Sequence, residues 1–360
     1  MNSYKATNTC NMSFSFYDVE RRTSKSKFYN QINTLIDWSS ISKELSKHYN
    51  TLPSKRGQKP YDPLILFKMQ LISIWHNLSD VQTEVMVNDS LSAMKFCGLT
   101  LEDPVPDHST LSRFRTHLTT KKAYDGLLKK INTQLSRHQL IVKTGAKVDA
   151  SLTQSPFTPK GKPTYELSQD RQEHQRDQQE QAKEDTYHKV KKVEQPNADH
   201  QARWVKKSGK TIYGYKKQIA TDEHGMILGV HTTAANRHDS QGLCELIKKI
   251  PKPYRREVMA DKGYKSKAND QVLKAQGSKS RIMHKAYRNT PLTSWQIKYN
   301  KAISKTRWVV ERTFGSLKRW FGSGITRLKG KDKVHSLHVL EAIAHNLKRS
   351  AGLVCLLAKI

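Results

Sequence analysis

Apolar residues in the first 140 positions recur at intervals of three and four, the spacing of a helix with one buried face. QINTLIDWSSISKEL, PLILFKMQLISIWHNL, DVQTEVMVNDSLSAMKFCGL, STLSRFRTHL and KKAYDGLLKKINTQL carry this period. Ser79 with Asp80 and Ser109 with Thr110 offer N-caps. Residues 1–143 therefore read as a helical domain, with a polar and poorly ordered start over residues 1–30.

Near residue 144 the period changes to two. GAKVDASL, TIYGYKKQIATD and GMILGVHTTAA read as three strands, the last two joined by a DEHG turn. DSQGLCELIKKI follows as a helix capped by Asp239 or Ser240, then REVMADKGY as a strand and its exit loop, SKANDQVLKAQG as a helix, SRIMHK as a strand, and a long helix from about residue 294. That order is the order of an RNase H-like α/β sheet, in which the first and fourth strands end side by side. Residues 144–360 are expected to form this core, interrupted at about 153–210 between the first two strands. The middle of the interruption, residues 165–195, holds seven Gln, eight acidic and six basic residues, which suits a partly ordered, solvated surface element.

Charge then narrows the partner. The chain has 360 residues and a formal net charge of +31, from 63 Lys and Arg against 32 Asp and Glu. Such an excess suits a polyanion, most simply nucleic acid. It is concentrated late: residues 252–360 carry 25 basic and 6 acidic side chains, residues 1–143 carry 20 and 12. Cys10, Cys97, Cys244 and Cys355 lie far apart without CxxC spacing, which indicates neither a zinc site nor a disulfide framework. No secretory n- and h-region opens the chain and no 18 apolar residues run together, so a cytoplasmic protein with no membrane partner is expected.

Three carboxylates stand in three contexts, two of them, Asp261 and Glu311, within the most basic stretch. Asp149 lies in KVDAS, Asp261 ends VMAD, and Glu311 sits in the helical pattern RWVVERTFGSLKRW. Carboxylates are the ligands of Mg²⁺ or Mn²⁺, hard cations that keep positions open for water and phosphate. Two such ions roughly 3.5 to 4 Å apart serve an in-line phosphodiester displacement. Asp149 alone also reads as an ordinary strand residue, and Asp261 as an ordinary loop carboxylate. At about 100° per residue Arg307, Glu311 and Lys318 share one narrow helix face, while Val310, Phe314, Leu317 and Phe321 form a separate apolar stripe expected to pack on the sheet. Arg307 and Glu311 also read as a plain i,i+4 pair, but Lys305, Arg312 and Arg319 make the surroundings more basic than one pair requires. His238 and Asp239, in ANRHDS, read either as a helix start or as groups that orient DNA or a metal-bound water. Trp204, Trp295, Trp308 and Trp320 are candidates to stack on unpaired bases. Arg113, Arg115 and His117 give one N-terminal helix a basic face, open to a helix-turn-helix reading or to plain packing.

These residues also carry a family resemblance. GQKPYDPLILFKMQLISIWHNLSD, PDHSTLSRFR, KVDAS, RWVKKSGKTIYGYKKQ, ANRHDS, ADKGY and the Arg307-x3-Glu311-x6-Lys318 spacing resemble the bacterial insertion-sequence DDE transposases of the IS-five type. The resemblance implies Asp149, Asp261 and Glu311 as ligands of two divalent ions, with Arg307 and Lys318 on transposon-end DNA. Lys262, Tyr264, Arg312 and Arg319 are further expected DNA contacts. The related signature often begins with Tyr three residues before the Arg; here that position is Ser304, so no role of that Tyr carries over.

The expected activity is binding of terminal inverted repeats, metal-dependent cleavage there, and joining of the freed 3′-OH to target DNA, by a homodimer in a paired-end complex at the bacterial nucleoid. A stand-alone metal-dependent DNA nuclease and a catalytically silent DNA-binding regulator are the alternatives.

Overall fold

The computed structural model describes residues 27–49, 59–161, 165–169, 188–192 and 195–357. The N-terminal part is helical, as its period requires, with α1 (Lys27–Leu35), α2 (Trp38–His48), α3 (Pro63–Trp75), α4 (Asp80–Asp89), α5 (Leu91–Cys97), α6 (His108–Thr120) and α7 (Ala123–Arg137). Two of the stretches read as continuous are divided. Asp37 breaks QINTLIDWSSISKEL and caps α2 through the Ser39 N–H, and Ser90 does the same between α4 and α5. Ser79 caps α4 in a reciprocal box with Gln82. The cap of α6 is Asp107, which accepts from the Thr110 N–H at 2.6 Å, and not Ser109.

The second part is a mixed α/β unit. It contains β1 (Ala146–Gln154), β2 (Tyr165–Gln169), β3 (His188–Lys192), β4 (Arg203–Lys207), β5 (Lys210–Thr221), β6 (Ile227–Ala234), α8 (Leu243–Lys249), β7 (Glu257–Ala260), α9 (Lys267–Ala275), β8 (Lys279–Ile282), α10 (Ser294–Phe321) and α11 (Lys331–Leu357). Short 3₁₀ turns cover Asp239–Gly242 and Lys262–Tyr264; His238, not Asp239 or Ser240, caps the first. The main sheet runs β4-β5-β1-β7-β8, with β6 also on β5. β1 is antiparallel to β5 and parallel to β7, and β7 is parallel to β8. The outer edge of β5 is shared: its first half pairs β4 and its second half pairs β6. Gly214 sits where the partner changes, and a Cβ there would lie 2.2 Å from the Thr153 carbonyl oxygen, so only glycine lets β5 and β1 approach.

The 153–210 interruption is therefore not all insertion. Residues 203–207 are a sheet strand, and β2 with β3 forms a separate antiparallel pair. The glutamine-rich middle, residues 170–187, lies outside the described residues.

The change of period at residue 144 coincides with the start of β1, but the two parts share one hydrophobic core running from Tyr29 to Ala351. The strap between them is α11. It lies along β6 on one side, where Asn346 accepts from the Ile227 N–H at 2.7 Å, and against the N-terminal helices on the other, where Trp75 Nε1 donates to the Ala344 carbonyl at 2.9 Å. No helix among the described residues is long and apolar enough to cross a membrane.

Candidate active site

The site is built by register. β1 and β7 run parallel with Val148 opposite Ala260, so the next residues, Asp149 within β1 and Asp261 just past the end of β7, stand at the same level. A carboxylate at the carboxyl end of a parallel strand stands where open α/β sheets receive ligands. Asp149 is held by the Ala150 N–H at 2.8 Å, and Asp261 by the Lys262 N–H at 2.7 Å.

α10 completes the set. Its apolar stripe, Val310, Phe314, Leu317 and Phe321, is buried as its spacing requires. A capping box of Thr293 and Gln296 starts the helix and left-handed Gly322 ends it. With the stripe inward, Glu311 lies on the neighbouring, exposed face, within reach of Arg307.

Arg307 occupies the centre. Its guanidinium lies 3.2 Å from Asp149 Oδ2, 3.5 Å from Asp261 Oδ1 and 3.9 Å from Glu311 Oε1. The side chain is buried, and Nε has no hydrogen-bond partner. Arg307 thus stands beneath the carboxylates instead of lying level with Glu311 and Lys318 on an open helix face. Burial pushes the Asp149 carboxyl above its ordinary pKa; Arg307 and the Ala150 N–H pull it down, while Asp261 and Glu311 push it up again.

The other residues singled out from the sequence distribute unevenly. Lys262 and Lys318 are exposed, Lys262 on the turn beside Asp261 and Lys318 near buried Lys217. Tyr264 is 1% exposed, its hydroxyl unpartnered and facing the charges of Asp239 and Asp149. It does not present a surface to DNA, which corrects its reading as a DNA contact; the turn hides a side chain that period alone left unplaced. Asp239 lies at the rim: Lys216 Nζ is 2.6 Å from its Oδ1, and a Cβ on Gly263 would be 3.7 Å from its Oδ2. His238 is exposed and bonded to Ser240. Arg312 and Arg319 lie over the Trp308 and Trp320 rings, 4.4 and 5.1 Å from their centroids. In the helical part, Arg115 is paired with Asp80 and His117 bonds the His48 carbonyl at 2.8 Å, which leaves Arg113 as the exposed member of that face.

Lys216 was not singled out from the sequence. It is one of three Lys and Gln residues in YKKQ, and only the pairing of β5 shows which of them reaches the rim.

The donor set consists of carboxylate oxygens from three elements, all drawn to one cation. Gathered around Arg307 they do not form a common cage, and no group of three His, Cys, Asp or Glu among the described residues does. Their chemistry still fits a hard, oxygen-seeking dication, because each has an oxygen directed at the same positive charge.

Comparison with known proteins shows the family. Residues 182–347 match the family described as Transposase DDE domain, a span that contains Asp261 and Glu311 but begins after Asp149. Residues 17–117 match the Transposase domain (DUF772). The chain is similar to the transposase for insertion sequence element IS1106 of Neisseria meningitidis serogroup B, with 36% identity over 242 residues, covering 67% of this chain and 77% of that protein. No solved structure matches. The chain belongs to the DDE-domain transposases of insertion sequences.

Proposed function

We propose that this transposase, an RNase H-like enzyme of the IS-five type, binds the terminal inverted repeats of its element, hydrolyses a phosphodiester at each end, and joins the freed 3′-OH to target DNA. The observation that carries this reading is the convergence of Asp149, Asp261 and Glu311, from three separate elements, within 4 Å of the Arg307 guanidinium.

Asp149, Asp261 and Glu311 would hold a pair of Mg²⁺ or Mn²⁺ ions, which supply activation of the attacking oxygen and stabilisation of the leaving one. The chain's own residues do the rest. The exposed Lys262 and Lys318 draw the end duplex to the rim. Asp149, half-buried behind the rim, is oriented by the Ala150 N–H. Arg307 supplies positive charge beside the reacting phosphate once it is no longer needed between the carboxylates. Lys216 fixes Asp239, so the loop from β6 keeps its place over the Asp261 turn. Because two ends must meet, a homodimer in a paired-end complex at the nucleoid is the working assembly.

The test is an assay with Mg²⁺, the element's own labelled ends and a target plasmid, comparing wild type with Glu311→Gln. Joined product from wild type alone supports the reading. Cleavage without joining favours a stand-alone nuclease, and tight end binding with equal inactivity favours a silent regulator.

A further inference from the structure

A second row of side chains follows α10, about 100° around the helix from Glu311. Lys301, Lys305, Trp308, Arg312 and Arg319 fall within about 60° of one another on the wheel, and all five are exposed. Trp308 and Trp320 are each 52% exposed, although indole rings ordinarily gain by burial. Each ring carries a cation: Arg312 over Trp308, Arg319 and Lys348 over Trp320, Lys348 at 4.8 Å.

The row broadens onto α11. A cleft of about 190 Å³ between the two helices is lined by Ser316, Trp320, Phe321, His345, Lys348 and Arg349. Burial and, after it, the nearby Arg349 disfavour the charge on Arg312. Among the described residues none of Lys301, Lys305, Arg312, Arg319, Lys348 or Arg349 has an ion-pair partner. Six cations without carboxylate partners, spread along two helices, offer a surface complementary to an extended polyanion. Exposed indoles among them would add flat apolar contact beside a sugar-phosphate chain.

We propose that this face of α10 and α11 seats the target duplex during strand joining. The inference rests on the transposase reading above and adds where the second DNA lies. Glu311 and this row face directions about 100° apart, so the phosphodiester held by the carboxylates cannot also lie on the row. Joining brings two duplexes to one site, and α10 stands between a catalytic face for the end and a cationic face along which the target runs toward it.

The experiment uses the full chain carrying Lys301→Ala, Lys305→Ala and Lys348→Ala together, the first two exposed and the third half-buried over Trp320, all to a strong helix former, with a thermal melt to confirm the fold. Cleavage of a short labelled end, joining of a pre-cut end to plasmid, and binding of a duplex without the terminal repeat are measured separately. The expected result is cleavage within about twofold of wild type and joining reduced at least about tenfold. In the same variant the log–log salt dependence of non-repeat binding becomes shallower by about 0.9 for each phosphate contact removed, hence about 2.7. Unchanged joining and salt slope would overturn the proposal. So would an equal loss of cleavage and joining, which would assign the row to the end duplex. If wild type neither cleaves nor joins, the functional reading fails, while the salt slope still decides whether the row binds duplex DNA.

Discussion

Replacing Arg307 by Gln removes the one cation that three carboxylates share. At an effective dielectric near 20, each contact at about 4 Å is of order 4 kcal/mol before desolvation. Asp261 and Glu311 are 40% and 61% exposed, and water replaces most of what they lose. Asp149 is only 24% exposed, so it carries most of the effect. A partner removed from a fully buried pair costs roughly 3–5 kcal/mol, and this partly solvated cluster should lose about 2–3 kcal/mol near pH 8.

The loss depends on pH, with a sign that can be worked out. The Asp149 pKa is raised in the folded state, chiefly by burial, so the folded protein binds the proton more tightly than the unfolded chain. Stability from this group is therefore greatest at low pH and falls as pH rises through the interval between the two pKa values. Arg307 opposes the rise, and without it the interval extends upward. The destabilisation of Arg307→Gln measured by urea titration should accordingly be smaller at pH 5 than at pH 8. Mn²⁺ affinity, read by calorimetry or electron paramagnetic resonance, should increase in the variant because the carboxylates no longer have a resident counter-ion. Millimolar Mn²⁺ should also recover more of the melting temperature in the variant than in wild type. A pH-independent loss together with weaker Mn²⁺ binding would refute the reasoning and leave Arg307 as a packing residue.

Two further outcomes follow from the packing. Lys217 and Glu341 are paired at 1% and 3% exposure, so Lys217→Met should cost roughly 3–5 kcal/mol by urea titration, whereas Lys217→Met with Glu341→Leu should return to within about 1–2 kcal/mol of wild type. Residues 144–360 expressed alone should be insoluble or bind a hydrophobic dye, because the surface of α11 that covers Trp75 and α7 would meet water; a cooperative melt of that fragment would show two independent domains instead.

Much of the site was legible because it rests on periods. Alternation placed Val148 in the core, and the apolar stripe of α10 set Glu311 on the neighbouring face. The supporting parts were less visible. β4 sits in polar sequence and is exposed at four of its five residues, as an edge strand can be, so nothing in RWVKK alternates strongly. α11 is buried on several sides, and a helix without one apolar stripe gives no clear angular signal. Periodicity supplied the angle of Arg307 but not its depth; depth comes from β1 and β7 meeting beneath the helix, a long-range fact. Tyr264 escaped for the same reason, since a three-residue turn has no period.

The shared core also bears on how the enzyme works. Asn346 bonds both the Ile227 backbone and Asn132 of α7, and His345 bonds the Gly225 carbonyl at 3.0 Å. Buried hydrogen bonds of this kind tolerate little displacement, because a shift that breaks one leaves a polar group unsatisfied in the core. The N-terminal helices therefore cannot swing relative to β1 and β7 without opening that core.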